Sequence, residues 1–252
     1  MSFQNKVVIV TGAGVGIGRA AAVLFAQRGA KVVVNSVTPK NGEETLRQVR
    51  ETGAEGIYIR GDVSVEADVQ RIVEETLAAY GRIDVLVNNA GVVLPGRVDN
   101  TSMADYDRTM DVNVRGTFMM CQQVIPHMLQ QGGGCVVNTT SIVATKGVKD
   151  RVVYAASKGA ILSMSKCMAM DYIRDNIRVN CVSPGTTYTP SLEDRIQAFD
   201  DPEAARADFI ARQPMGRLGR PEEIAQAIVF AADEDAGFMN GVNIQIDGGM
   251  SI

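Results

Sequence analysis

The sequence predicts an α/β protein built on a single doubly wound parallel sheet of seven strands, with helices on both faces. Three observations carry that prediction. Short runs rich in Val and Ile recur along the whole chain. Each is continuously apolar rather than alternating, as strands covered on both faces are. Amphipathic stretches of helical length separate one run from the next. With 252 residues, 46% hydrophobic and 21% charged, the chain can bury a large core and lacks the composition of a disordered one.

The first run, Val-Val-Ile-Val at residues 7–10, enters a glycine-rich turn and a helix expected over 18–28. Further strands are expected at 32–34, 56–59, 85–87, 135–137, 178–182 and 242–246. Helices are expected between them at 43–51, 66–80, 105–130, 154–172 and 221–233. No linker, repeat or low-complexity tract interrupts the rhythm, so residues 1–252 read as a single domain. One stretch departs from it. Residues 184–220 are polar, punctuated by proline and hold no good strand. A segment that long between a strand and a core helix reads as a substrate lid, with short helices at 192–199 and 202–212.

Bulk properties exclude several function classes. The net charge is −4 and no basic stripe is present, which argues against nucleic acid. No apolar run reaches the length of a membrane span. The N-terminus runs straight into a strand pattern without a signal peptide. Cys121, Cys135, Cys167 and Cys181 form no CxxC pair and fall inside apparent helices and strands. They read as buried free thiols, which points to a reducing cytoplasm. The single histidine, His127, sits at the polar end of a helix and reads as surface filler, so neither a His triad nor a metal centre is expected.

Four motifs carry chemistry. Thr11-Gly12-Ala13-Gly14-Val15-Gly16-Ile17-Gly18 joins a strand to a helix. Glycines there let backbone approach a ligand, and the helix N-terminus offers free N–H groups to a pyrophosphate. Asn88-Asn89-Ala90-Gly91 closes the fourth strand, where amides could tie loops together or face a ligand in the crevice. Asp62-Val63 ends the third strand, where the carboxylate could accept from an adenine amino group or cap a helix. Tyr154 and Lys158 stand one helical turn apart. A phenol titrates near pH 10, so base duty at neutral pH requires a downward shift of roughly three units, about 4 kcal/mol. A neighbouring ammonium supplies part of that, and a positively charged cofactor could supply the rest.

These elements together resemble the short-chain dehydrogenase/reductase family, in its single-domain, Rossmann-type branch. The resemblance covers essentially the whole chain. It rests on Thr11–Gly18, Asp62, Asn88–Gly91, Asn113, Ser141, Tyr154, Lys158, Pro184-Gly185 with Thr189-Pro190, and the ending Ile246-Asp247-Gly248-Gly249. It implies that Tyr154 is the general acid/base and that Ser141 holds the substrate oxygen. It implies that Lys158 binds the nicotinamide ribose and lowers the Tyr154 pKa, and that Asn113 holds a water in a proton relay. The implied dinucleotide contacts are Gly12, Val15, Gly16, Ile17, Gly18, Asn35, Ser36, Thr38, Asp62, Val63, Asn89, Ala90, Gly91, Tyr154, Lys158, Pro184, Gly185, Thr187 and Thr189.

The cofactor implied is NAD(P). In NAD-specific relatives an acid stands at the place of Ser36; its absence removes a penalty against a 2′-phosphate. Asn35, Ser36 and Thr38 could bond that phosphate, with Lys40 as a flexible charge. Yet Val15 stands where many NADP enzymes carry arginine. The expectation leans to NADP or dual use, with NAD open.

For the substrate, Arg151 precedes Tyr154 by three residues and Arg195 lies in the lid. Two guanidinium groups aimed at one pocket would clamp a carboxylate. The stretch 184–217, including Phe209, is similar to a subgroup that oxidises small hydroxy acids, among them cytosolic-type 3-hydroxybutyrate and 2-keto-3-deoxy-L-fuconate dehydrogenases. Tyr188 replaces a more usual aspartate there and is expected to reshape the pocket. The expected partner is thus a small anionic substrate, with a homotetramer packed through the helices at 105–130 and 154–172. Three alternatives stay open: an NADPH-dependent 3-oxoacyl carrier-protein reductase, a dehydrogenase of neutral sugars or polyols, and a catalytically silent dinucleotide-binding regulator.

Overall fold

The computed structural model describes residues 2–252. Along the chain come β1 (Val7–Val10), α1 (Gly16–Gln27), β2 (Lys31–Ser36), α2 (Pro39–Glu51), β3 (Gly56–Arg60) and α3 (Glu66–Tyr80). Then follow β4 (Val85–Asn88), α4 (Met103–Met110), a π-helical turn (Asp111–Arg115), α5 (Gly116–Gln130), β5 (Gly134–Thr139) and α6 (Val152–Asp171). The last third holds β6 (Ile177–Pro184), α7 (Pro190–Gln197), α8 (Pro202–Ala211), α9 (Pro221–Ala232) and β7 (Asn243–Ile246). The strands form one parallel sheet in the order β3-β2-β1-β4-β5-β6-β7. The seven-stranded doubly wound sheet read from the sequence is therefore the one observed.

Alternation along each strand divides the core in two. Val8 and Val10 of β1, Val32 and Val34 of β2, and Val85 and Val87 of β4 face Ala21, Ala22 and Phe25 of α1 and Ile224 and Ile228 of α9. Ile9, Val33 and Leu86 face the other way, against Val69 and Ile72 of α3 and Met120 and Val124 of α5. Because both faces are covered, the strands read as unbroken apolar runs. Strand order reverses between β1 and β4, which opens a crevice at the C-terminal ends of the strands.

Differences from the sequence reading have local causes. The helix expected over 105–130 is interrupted by the π turn, where the Gly116 N–H reaches back to the Asp111 carbonyl. The helix expected from 18 begins at Gly16, and the one expected from 43 begins at Pro39, at a first-turn position where proline's missing N–H is harmless. Cys167 is exposed, whereas Cys121, Cys135 and Cys181 are buried; all four are free thiols. On α6, Ile161, Ser165 and Ala169 face inward at four-residue spacing, so Cys167 falls on the opposite side of the helix. His127 is partly exposed in the last turn of α5.

Residues between β6 and α9 carry no strand, only α7, α8 and a bridge between Thr187 and Gly219. Leu192, Ile196 and Phe209, with Leu218 against them, form a small separate apolar cluster. Arg206 and Glu193 pair at 2.6 Å across the two helices. No helix among the described residues is long and apolar enough to cross a membrane.

Candidate active site

The crevice is a cavity of about 480 Å³ that runs from the end of β2 to α8. At its phosphate end α1 begins at Gly16, and no side chain caps the helix. Its first N–H groups are therefore free to meet an anion. Gly12 has φ 61°, and a Cβ on it would stand 2.7 Å from the Ala90 Cα. A Cβ on Gly18 would overlap the Gly12 carbonyl. Gly12 thus lets the turn lie against the β4 loop, and Gly18 lets α1 pack under the turn without itself reaching the cavity wall. Val15, Gly16 and Ile17 do line the wall. These backbone cradles fit a pyrophosphate.

The amides divide between wall and scaffold. Asn89 Nδ2 donates to the Thr11 and Gly12 carbonyls, tying the glycine turn to β4. Ala90 and Gly91 continue that wall, as do Pro184, Gly185, Thr187 and Thr189 at its far side. Asn88 is buried and donates to Asn138 Oδ1. Asn35 donates to the Ile59 and Gly61 carbonyls, so its amide serves β3 rather than a 2′-phosphate. Ser36, Val37, Thr38 and Asn41 form a neutral wall there, and Lys40 is not part of it. Asp62 accepts from the Ser64 N–H and hydroxyl, beside Val63. It does not cap α3, whose N-cap position is Val65.

Ser141, Tyr154 and Lys158 meet in the cavity wall. Ser141 lies just beyond β5, and Tyr154 and Lys158 lie one turn apart in α6. Lys158 is buried, donates to the Thr139 carbonyl at 2.7 Å and stands 5.8 Å from the Tyr154 ring centroid. Burial pulls its pKa down to about 8. Burial pushes the Tyr154 phenol up, and the Ser141 hydroxyl, Arg195 and Arg151 pull it back. Lys158, expected to lower that pKa as well, bonds to the Thr139 carbonyl and stays mostly protonated at neutral pH.

Asn113 is fully buried inside the π turn and does not reach the wall. Its amide donates to the Val92 carbonyl and Ser157 Oγ and accepts from the Val92 N–H. Both amide hydrogens and one lone pair of the amide oxygen are thus engaged within the protein.

Arg151, Arg195, Arg212 and Phe209 line the opposite end. The Arg195 and Arg212 guanidinium carbons stand 6.0 and 4.6 Å from the Phe209 ring centroid. Burial lowers the pKa of Arg151 and Arg195, as does the Arg212 charge on both and the Arg151 charge on Arg195, though arginines stay protonated. Among the described residues none of the three forms a salt bridge, and the wall's only carboxylate is Asp62, at the far end. Tyr188 lies outside the wall with the Arg206 guanidinium 5.4 Å from its ring, so it does not reshape the pocket.

A family model described as Enoyl-(Acyl carrier protein) reductase matches residues 12–251. An uncharacterized oxidoreductase of Thermotoga maritima is 47% identical over 99% of this chain and 98% of its own. The 3-oxoacyl-[acyl-carrier-protein] reductase of the same organism is 38% identical over the full length of both. A crystal structure assigned to the short-chain dehydrogenases/reductases, from Burkholderia xenovorans, superposes with a TM-score of 0.96 at 37% identity, over 99% of this chain and 98% of that one.

The chain belongs to the short-chain dehydrogenase/reductase family. It is an oxidoreductase acting on CH–OH or keto groups, with nicotinamide dinucleotides as the family's cofactors. In this dehydrogenase/reductase the wall also holds residues to which the sequence assigned no role. Arg108 comes from α4 and Arg212 from the end of α8, and only the fold brings them to the cavity. Asn41 and Thr139 are two more.

Proposed function

We propose that this dehydrogenase/reductase interconverts a small hydroxy acid, or sugar acid, and the matching keto acid, with Tyr154 as general acid/base. The observation that carries the reading is the convergence of Arg151, Arg195 and Arg212 on the Tyr154 end of the cavity with no carboxylate to neutralise them. Uncompensated guanidinium groups in a half-enclosed wall are costly unless an oxyanion completes them. Their forked donors suit a carboxylate, and Phe209 keeps the Arg195 and Arg212 planes in place.

A nicotinamide dinucleotide bound along the glycine turn supplies the acceptor or donor of the hydride. The chain's own residues handle the proton. Tyr154 Oη takes it from the substrate hydroxyl during oxidation and returns it to the carbonyl oxygen during reduction. Ser141 Oγ donates a hydrogen bond to that oxygen. Lys158 would hold the nicotinamide ribose and pass the proton on. A water held at Asn113 carries the proton onward from Lys158. The neutral wall at Ser36, Thr38 and Asn41 neither repels nor anchors a 2′-phosphate. Use of both dinucleotides follows, the absence of an acid at Ser36 leaving NADP unpenalised, and a reducing cytoplasm is the compartment proposed.

The relative that reduces 3-oxoacyl carrier-protein thioesters favours a second reading. It would leave the three arginines to a phosphopantetheine arm or an acidic carrier surface. The overall charge of −4 does not favour such docking.

A panel of hydroxy acids, sugar acids, neutral polyols and 3-oxoacyl thioesters, run with both dinucleotides, tests the choice. Turnover of acids above the others supports the reading; preference for thioesters or polyols overturns it. Tyr154→Phe is expected to bind dinucleotide as the wild type does while losing roughly 10²- to 10⁴-fold in turnover. Undiminished turnover would remove Tyr154 from its role.

A further inference from the structure

Three buried side-chain polar atoms among the described residues lack a hydrogen-bond partner: Ser2 Oγ, Asn88 Oδ1 and Thr139 Oγ1. Of their residues only Thr139 lines the cavity. Thr139 is 7% exposed, so its hydroxyl is cut off from bulk water without gaining a protein partner. A polar group left in that state is destabilising. A fold tolerates such a cost where something else completes the bond.

The register says what that is. Asn88 pairs with Asn138 and Thr139 pairs with Val182 across the sheet. Paired residues of a parallel sheet share a face, so Thr139 points to the same side as Val182 and Val137, the side covered by α1 and α9. The glycine turn stands on that side. The other side of β5 is closed by the Asn88–Asn138–Ser165 bonds and by α6. Thr139 is also fixed at the reactive end of the crevice, since its carbonyl receives the Lys158 ammonium and Ser141 follows two residues later.

We infer that the Thr139 hydroxyl is a positioning group for the nicotinamide-riboside half of the bound dinucleotide, which completes its hydrogen bond. One side chain then connects binding to chemistry. Its backbone oxygen holds Lys158 and its hydroxyl holds the cofactor half that Lys158 faces. The inference rests on the reading of the cavity as a dinucleotide site. Dinucleotide binding by the wild type tests that reading, and the variants test this one.

Thr139→Val is nearly isosteric and removes only the hydroxyl. Its dissociation constant for the reduced dinucleotide, followed by nicotinamide fluorescence, is expected to rise about three- to tenfold. Affinity for ADP, which lacks the nicotinamide riboside, is expected to stay at the wild-type value. Without ligand the variant is expected to melt at or above the wild-type Tm, because an orphan hydroxyl has been removed. Thr139→Ser, which keeps the hydroxyl, is expected to bind like the wild type. Three results would overturn the inference: unchanged dinucleotide affinity in Thr139→Val, an equal loss for ADP, or a ligand-free Tm lowered by several degrees. A Thr139→Ser variant as weak as Thr139→Val would also overturn it, by assigning the effect to the methyl group.

Discussion

Lys158 shows how a residue's place in the fold alters what its chemistry can do. Its amine is buried, has one carbonyl partner at 2.7 Å and titrates at about 8 instead of 10.5. A lysine whose folded pKa lies below its unfolded value binds fewer protons when folded. Its burial therefore costs stability below pH 8, and the cost fades as pH rises from about 8 to 10.5. The shift corresponds to something on the order of 3 kcal/mol. Urea unfolding of wild type and Lys158→Met at pH 7, 9 and 10.5 measures it. The wild type is expected to gain stability relative to the variant along that series; a constant difference would mean the amine is not held in its depressed state. Ser141, Tyr154 and Lys158 were legible in the sequence because their spacing is set by one strand end and one helical turn. Arg212 was not, since its meeting with Arg151 and Arg195 depends on how α8 folds back over the cavity. Thr139 was not either, since an unsatisfied hydroxyl is a property of packing and leaves no mark on a sequence.

At the scale of elements, continuous Val/Ile runs located every strand to within a few residues, because burial on both faces leaves no room for polar alternation. The π turn was invisible. Residues 105–130 carry an unbroken helical pattern, and the extra residue in the turn at 111–115 is tied in by contacts of Asn113 with Val92 and Ser157 from other elements. The helices flanking that turn and α6 also explain the assembly we propose. Phe118 on α5, and Met170 on α6 with Ile173 just after it, remain exposed at 49%, 72% and 54%. These apolar side chains stand on elements whose other faces already fill the core. Packing between copies through α5 and α6 would cover them in a homotetramer. Light scattering at micromolar concentration is expected to give four times the 27.0 kDa chain mass. A monomeric mass would contradict it.

Across the whole molecule, one asymmetry organises the account. The sheet places the glycine turn, with its free helix N–H groups, at one end of the crevice and three unpaired arginines at the other. The Tyr154 phenol lies between them, raised by burial and lowered by Arg151 and Arg195. The same arginines that we propose bind a carboxylate thus also favour the phenolate needed for oxidation. The sequence could suggest two of them but could not show that no salt bridge among the described residues ties them. In the function we propose, this cluster reads the substrate's negative charge. The most direct test compares one accepted hydroxy acid with its methyl ester, in wild type and in Arg151→Ala/Arg195→Ala, by the appearance of reduced nicotinamide. The wild type is expected to favour the acid at least tenfold in kcat/KM, a difference of about 1.4 kcal/mol, and the double variant to lose that preference mainly through a higher KM for the acid. An ester turned over as well as the acid by the wild type, or a preference that survives removal of both arginines, would contradict the account.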